Sequence, residues 1–250
     1  MQRIFLTSNL GCSIKINGIR YSQEMNNING VVDQIKRVLS RNRKMLFFVS
    51  NPNDFVTNDD YARLTFESFA KSGITFDNKV VIDNRFQDDL AGEVKTADIV
   101  FLSGGKTEIQ MKFFEEIGLK GALKDYKGVI IGQSAGAMNL ANEVLCPPEE
   151  EEEIGQNFNW PGLGKTSISI EPHFVLNVID ELDIKLRNEL LKISSNKVLY
   201  AICDGTHIFI DDNSEKIYGE AYIIENGNIS KINDSGMVLD ITSTNSPKKL

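Results

Sequence analysis

The chain has 250 residues, of which 41% are hydrophobic and 25% charged, a balance that is ordinary for a soluble protein with one sizeable core. A formal net charge of -8 disfavours nucleic acid as a partner, because binding a phosphate backbone needs a concentrated basic face. The first ten residues lack a secretory signal, and no segment approaches the roughly 18 apolar residues of a membrane helix. We therefore expect a cytoplasmic protein that has no membrane partner.

The three cysteines, Cys12, Cys146 and Cys203, are odd in number and contain no Cys-x-x-Cys pair. This usage predicts reduced thiols rather than a disulfide framework or a zinc site, and nothing else in the sequence indicates a metal or a cofactor. No linker-like segment and no internal repeat divides the chain. We expect a single domain over residues 1–250.

The N-terminal two thirds alternate between short apolar runs and longer amphipathic stretches, which predicts an α/β protein with a mostly parallel central sheet. A helix is expected to start at Asn58 or Asp59 and to stop at Gly73. The predicted strands are residues 3–7, 45–50, 79–83, 98–102 and 128–132.

The C-terminal half is predicted to contain a helix, antiparallel strands and a frayed end. The residues after Ser134 are good helix formers up to Cys146, where Pro147 and Pro148 would stop a helix. From residue 198 onward, short β segments separated by turn residues predict antiparallel strands that finish the sheet. The polar residues 242–250 are expected to fray.

Ser134 stands directly after a buried-strand pattern and at the start of a predicted helix, in Gly132-Gln133-Ser134-Ala135-Gly136. A nucleophile elbow requires this arrangement, because small neighbours permit the sharp turn that exposes the hydroxyl. The alternative is a serine that only caps a tightly packed helix. We interpret Ser134 as a catalytic nucleophile.

A serine hydroxyl needs a base to take its proton, and histidine is the usual base near neutral pH. The chain has two histidines. His173 follows the alternating pattern of residues 166–170, where loop residues meet the carboxyl edge of a sheet. His207 lies at the entry to an ordinary edge strand and is interpreted as structural. We assign the general base to His173.

The tetrahedral intermediate of acyl transfer also needs hydrogen-bond donors for its oxyanion. Gly104 and Gly105 follow the predicted strand at 98–102 and precede another helical stretch. A backbone amide of this turn could join the amide of Ala135. Glycines in such turns also have purely steric uses, so this evidence is weak alone.

Three motifs together resemble the peptidase E and cyanophycinase group of serine peptidases. They are Gly-Gln-Ser-Ala-Gly-Ala, Leu-Ser-Gly-Gly-Lys-Thr, and Gly-Leu-Gly followed by Glu-Pro-His-Phe, and the resemblance extends from about residue 1 to about residue 235. It implies a three-layer fold similar to class I glutamine amidotransferase domains and a Ser-His-acid triad. It also implies hydrolysis of short peptides that carry an N-terminal aspartate, and such relatives suggest a homodimer.

The resemblance further implies where the acid and a substrate-binding residue lie. In the family, the acid is on the loop between the nucleophile helix and the histidine strand, which corresponds to about Glu151, with Glu150 or Glu152 as neighbours in register. Weaker rivals for this role follow the histidine: Asp180, Glu181 and Asp183. Lys106 replaces the asparagine usual in the family, and it could bind a substrate carboxylate or point to solvent.

Two other functions share some of these features. An α/β-hydrolase esterase has the same elbow, but only 39 residues lead from Ser134 to His173, which leaves little room for the strands and lid of an esterase. A noncatalytic domain similar to glutamine amidotransferases could also carry a serine at this turn. Labelling by a fluorophosphonate distinguishes a serine hydrolase from this noncatalytic domain, because a binding domain has no activated hydroxyl to label.

Overall fold

The computed structural model describes residues 2–39, 44–156 and 158–242, so all of the predicted frayed tail except Thr242 lies outside the described residues. The helices are α1 (Val31–Val38), α2 (Phe55–Lys71), α3 (Leu90–Thr96), α4 (Thr107–Glu116), α5 (Leu119–Ala122), α6 (Ala135–Met138) and α7 (Glu181–Ile193), with a 3-10 helix at Glu151–Glu153. The strands are β1 (Arg3–Thr7), β2 (Ser13–Ile16), β3 (Ile19–Ser22), β4 (Lys44–Phe48), β5 (Asn78–Ile82), β6 (Ile99–Leu102), β7 (Val129–Gln133), β8 (Glu143–Cys146), β9 (Phe158–Pro161), β10 (Ile170–Glu171), β11 (Leu199–Ile202), β12 (His207–Ile210), β13 (Glu215–Tyr218), β14 (Ala221–Glu225), β15 (Asn228–Asn233) and β16 (Val238–Asp240).

The central sheet has eight strands in the order β16-β13-β12-β1-β7-β6-β4-β5. The five strands from β1 to β5 in this order are parallel, and β12, β13 and β16 extend the sheet antiparallel. The five predicted strands of the N-terminal half are confirmed within two residues, as are the α/β class and the antiparallel strands near the C-terminus.

The parallel strands are apolar along almost their whole length because both faces of this sheet are covered. Phe5, Phe47, Phe48 and Phe101 are essentially inaccessible to solvent, and the rings of Phe47 and Phe101 stack across neighbouring strands with centroids 5.4 Å apart. Burying each such side chain contributes about 1.5–3 kcal/mol. This core fixes the strand ends from which the functional loops emerge.

Helix α2 confirms the predicted helix, but it begins earlier than expected. Asp54 caps it by accepting a hydrogen bond from the amide of Thr57 at 3.3 Å, so Asn58 and Asp59 lie inside the first turns. Gly73 follows the last turn with φ of 79°, as a C-terminal stop requires.

The long helix predicted after Ser134 is wrong. Helix α6 has only four residues, and the chain then turns into β8, which pairs with β9. The backbone leaves the helix because its groups bond to a neighbouring segment: the amide of Leu163 donates to the oxygen of Asn139, and the amide of Asn142 donates to the oxygen of Thr166. Tertiary hydrogen bonds here override helix propensity.

A second sheet of four strands has the order β10-β11-β14-β15. The antiparallel strands after residue 198 are thus divided between two sheets rather than all finishing the first one. Strands β10 and β11 run parallel, so their carboxyl ends lie at the same edge. Among the described residues, none of the helices combines the length and apolarity needed to cross a membrane.

Strands β2 and β3 form a separate two-stranded sheet, which we call the hairpin arm (residues 13–22). Its turn is Asn17-Gly18, with φ of 50° and 83°. Positive φ at both central residues is the signature of a type I′ turn, which matches the twist of a hairpin.

Candidate active site

Ser134 forms a strained elbow between β7 and α6. Its φ is 51° and its ψ is -118°, a conformation that a non-glycine residue adopts only when the surroundings impose it. The amide of Ser134 donates to the oxygen of Thr7 at 2.9 Å, which ties the elbow to β1. A Cβ at Gly136 would lie 2.2 Å from the oxygen of Leu102, so only glycine permits this close approach of the helix to β6.

His173 lies directly in front of the serine hydroxyl. Its Nε2 is 2.9 Å from Ser134 Oγ, a distance at which the imidazole can accept the hydroxyl proton. His173 follows β10 and has φ of 55°, so both members of this pair have left-handed backbone conformations. Such strain is concentrated at sites where side chains are held in one orientation.

Asp204 completes a line of three side chains. His173 Nδ1 is 2.7 Å from Asp204 Oδ1, so the carboxylate can fix the tautomer in which Nδ1 carries the proton and Nε2 faces the serine. Hydrogen bonds from His173, Ser8 and Asn9 lower the pKa of Asp204 to about 2, although partial burial opposes this shift. The carboxylate is therefore ionised at neutral pH.

Ser8, directly after β1, links the histidine to the acid. Its hydroxyl donates to Asp204 Oδ1 at 2.7 Å and accepts from the backbone amide of His173, also at 2.7 Å. Asn9 Nδ2 donates to Asp204 Oδ2 at 3.3 Å. Ser8 is fully buried, so water cannot replace these bonds without rearrangement.

A comparison with models of protein families identifies the family of this chain. The model of peptidase family S51 matches residues 19–218. The chain belongs to peptidase family S51. Members of this family are serine peptidases, so the chain is a hydrolase of the serine peptidase type.

Two solved structures have the same fold as this S51 chain. A peptidase from an acI-B1 Actinobacterium aligns with a TM-score of 0.62 at 13% identity, covering 96% of each chain. A putative peptidase E protein from Listeria monocytogenes EGD-e aligns with a TM-score of 0.56 at 16% identity, covering 93% of this chain and 100% of the other. A search of curated proteins gives no match.

The expected pairing of Glu151 with His173 is wrong. Glu151 lies in the 3-10 helix, its side chain is 62% exposed, and its Oε1 is 3.0 Å from Lys185 Nζ. The acid that contacts His173, Asp204, comes after the histidine in the chain rather than before it.

The weaker rivals for the acid also lie elsewhere. Asp180 caps α7 by accepting from the amide of Leu182 at 2.8 Å, and Glu181 is 3.6 Å from Lys185. Asp183 belongs to the first turn of α7.

The Gly104-Gly105 turn lies beside the elbow, as expected. Gly105 has φ of 142°, and a Cβ there would lie 2.0 Å from Ser50 Oγ. A Cβ at Gly104 would lie 3.3 Å from the Cβ of Ser134, so the backbone of this turn approaches the nucleophile closely. As the first residue of α6, Ala135 has an amide without a partner inside the helix. The arrangement is compatible with an oxyanion site between these two segments.

Lys106 was expected either to bind substrate or to face solvent. Its side chain is exposed, and its Nζ lies 3.2 Å from Glu150 and 3.6 Å from Glu149. These two carboxylates, chiefly through the hydrogen bond that Lys106 donates to Glu150, raise the pKa of Lys106. Its charge is thus already compensated within the chain.

His207 is far more buried than its interpretation as an edge-strand residue implied. It lies in β12 between β1 and β13, stacks on Tyr218 and contacts Gln34 Oε1 through Nε2 at 2.8 Å. Burial lowers the pKa of His207 to about 3, so the ring is neutral at pH 7. This agrees with a structural rather than a catalytic part for His207.

Two cavities meet at the serine and the histidine. The first, of about 290 Å³, is lined by uncharged residues such as Ser50, Asn58 and Tyr61 in addition to His173, and we call it the neutral cavity. The second, of about 590 Å³, is lined by Lys106, Glu149 and Glu171 among others, and we call it the charged cavity.

Cys146 also lines the charged cavity and is a second conceivable nucleophile there. Burial raises the pKa of its thiol to about 12, so almost no thiolate exists at neutral pH. This leaves the hydroxyl of Ser134 as the nucleophile that the geometry favours.

Proposed function

We propose that this S51 chain hydrolyses short peptides through a Ser134-His173-Asp204 triad, in the manner of a dipeptidase E that favours an N-terminal aspartate. The observation that carries the proposal is the continuous contact from Ser134 Oγ through His173 to Asp204, with distances of 2.9 and 2.7 Å. It replaces the Ser-His-Glu triad expected from the sequence.

In the acylation step, His173 Nε2 takes the proton of Ser134 Oγ while the oxygen attacks the peptide carbonyl. The carbonyl oxygen becomes an oxyanion, and we assign its stabilisation to the backbone amides of Gly105 and Ala135. The imidazolium formed on His173 is stabilised by ionised Asp204. It then gives its proton to the leaving amine, and an acyl-enzyme remains on Ser134.

In the deacylation step, a water molecule takes the place of the departed amine. His173 removes a proton from this water as it attacks the acyl carbon, and the proton returns to Ser134 Oγ when the tetrahedral intermediate collapses. The acid portion of the peptide is released, and the site returns to its starting state.

A preference for short peptides is supported by the dimensions of the site. The cavities on the two sides of Ser134, of about 290 and 590 Å³, have room for one or a few residues each. The preference for N-terminal aspartate rests on the motif resemblance alone.

Digestion of a synthetic peptide library, followed by mass spectrometry, tests this function. The wild-type protein should cleave short peptides after their first residue, with aspartate enriched at that position. Ser134→Ala should abolish cleavage, while Ser195→Ala, at an exposed serine outside the site, should not change it. Cleavage of long peptides at internal positions, or equal cleavage by Ser134→Ala, would contradict the proposal.

We further propose that residues 1–250 form one hydrolase domain that acts in the cytoplasm, and that it assembles as a homodimer. The three cysteines are free thiols in the structure, which suits a reducing compartment. Light scattering of the purified chain tests the assembly: a mass near 56 kDa supports the dimer, and one near the chain mass of 28.0 kDa contradicts it.

A further inference from the structure

The hairpin arm carries two positive charges that the fold itself does not use. Lys15 and Arg20 are directly opposite each other in the ladder of β2 and β3, so their side chains lie on the same face. Like charges at such positions destabilise a hairpin. In the part of the chain that the structure describes, neither side chain has a carboxylate partner.

The acidic residues Asp60 and Glu67 of α2 contact residues other than Lys15 and Arg20. Glu67 accepts hydrogen bonds from Ser22 and Arg63, at 2.5 and 2.9 Å. Asp60 is 2.6 Å from Arg63. Lys15 and Arg20 are both exposed, so their charges are available to solvent or to an external anion.

Arg20 lies at the edge of the active-site cleft. Its guanidinium carbon is 5.8 Å from the centre of the Tyr61 ring, and the two residues line a small cavity of about 70 Å³. Asn9, Tyr61 and Gln133 line both this small cavity and the neutral cavity that contains Ser134. The two spaces therefore share a wall, and Arg20 lines the small cavity next to the neutral cavity.

The residues lining the neutral cavity carry no permanent charge, so a substrate carboxylate there would have no cation other than one supplied from the edge. Lys106 is on the other side of Ser134 and is held by Glu149 and Glu150. Arginine presents a planar fork of donors that matches a carboxylate, and its position over an aromatic ring leaves that fork accessible.

We propose that Arg20 is a specificity residue that binds a carboxylate of the peptide substrate in the small cavity next to the neutral cavity. This inference rests on the proposed peptidase function and assigns its preference for acidic peptides to the hairpin arm. The carboxylate is either the side chain of an acidic N-terminal residue or the free C-terminus of a dipeptide, and both present the same chemistry to a guanidinium.

Four substrates separate these two sources: Asp-Leu, Asp-Leu-amide, Asn-Leu and Asn-Leu-amide. Arg20→Gln should lower kcat/KM about tenfold more for substrates with the recognised carboxylate than for Asn-Leu-amide, mainly through KM, because a hydrogen bond to a charged group is lost. Arg20→Lys should recover part of this loss. Lys124→Gln, which removes one charge at an exposed position outside the cleft, should behave as wild type.

The pattern of loss identifies the source. A loss shared by Asp-Leu and Asp-Leu-amide indicates the aspartate side chain, and a loss shared by Asp-Leu and Asn-Leu indicates the C-terminus. An equal loss on all four substrates, or none, would overturn the proposal.

A binding measurement separates this proposal from the peptidase function itself. In a Ser134→Ala background, calorimetry with Asp-Leu should show a Kd about tenfold higher when Arg20 is also replaced by Gln. An unchanged Kd contradicts the role of Arg20 even if the wild type hydrolyses peptides. If the wild type hydrolyses none of the four substrates, the proposed function fails, while the Kd comparison still decides on Arg20.

Discussion

Replacing Asp204 by Asn tests the identity of the triad acid. Asn has nearly the same shape and can still contact His173 and Ser8, but it carries no charge to stabilise the imidazolium formed during the reaction. The two charge centres are about 4 Å apart, where the attraction is about 1 kcal/mol in water and about 4 kcal/mol at the protein surface.

Both side chains are about half exposed, at 49% for His173 and 54% for Asp204, so solvent screens part of this attraction. A loss of about 2–3 kcal/mol is expected, which corresponds to about 30- to 150-fold in kcat/KM. Glu151→Gln is the matched control, since its exposed contact with Lys185 contributes only about 0–1 kcal/mol to stability and none to the histidine.

The assay is hydrolysis of a dipeptide with N-terminal aspartate, measured by chromatography of the released amino acids, after thermal unfolding has shown that both variants are folded. Asp204→Asn should lose activity as stated, and Glu151→Gln should remain within about twofold of wild type. Full activity of Asp204→Asn, or an equal loss in Glu151→Gln, would refute the assignment of Asp204.

Three further predictions concern buried polar groups. Ser8→Ala should lower kcat/KM about 10- to 100-fold, because a hydrogen bond to the charged Asp204 is lost, and steady-state kinetics on the same dipeptide should show the fall mainly in kcat. Neutral His207 must be protonated when the chain unfolds in acid, so stability should fall between pH 6.5 and about 3; by pH 5 its contribution should have dropped by about 2 kcal/mol. Urea unfolding should show a weaker acid dependence in His207→Gln, and equal slopes would contradict this. Burial and nearby Glu149 raise the pKa of Glu171 to about 8, so stability should fall as pH rises from 4.5 to about 8, where the unfolded chain releases this proton and the folded chain keeps it. At pH 9, Glu171→Gln should therefore have a higher Tm than the wild type in thermal unfolding. An unchanged or lower Tm would contradict the raised pKa of Glu171.

The sequence was sufficient to predict the strands of the central sheet because each is a continuous apolar run, and continuous runs result from burial on both faces. It was also sufficient to select Ser134 and His173 as candidates that the fold brings within 2.9 Å of each other. Both lie after strands, and the carboxyl ends of parallel strands meet at one edge of a sheet.

Asp204 escaped prediction because its position depends on strand pairing that local patterns do not specify. Strand β10 has only two residues, and its parallel pairing with β11 brings the turn after β11 next to His173. Asp204-Gly205 belongs to the turn residues that were expected only to separate the β segments after residue 198. The available signal was a strand pattern at 199–202 with an aspartate two residues after its end, but only the pairing of β10 with β11 shows that this aspartate lies next to the histidine.

The helix predicted after Ser134 and the hairpin arm are two errors of opposite kinds. The first was predicted but is not formed, and the second is formed but was not predicted. Helix propensity after Met138 is overridden by bonds to residues 162–166, which are distant in sequence. The hairpin arm, in contrast, has a strong local signal in Asn17-Gly18, but its two strands are not among the predicted strands.

Reaction with a fluorophosphonate, followed by intact mass and peptide mapping, tests the central claim most directly, because only an activated serine reacts rapidly. The wild-type chain should gain one adduct on Ser134, Ser134→Ala should gain none, and His173→Ala should react at least about 100-fold more slowly because the hydroxyl has lost its base. An adduct on another residue, or unchanged labelling of His173→Ala, would contradict the proposal that Ser134 and His173 form the catalytic pair.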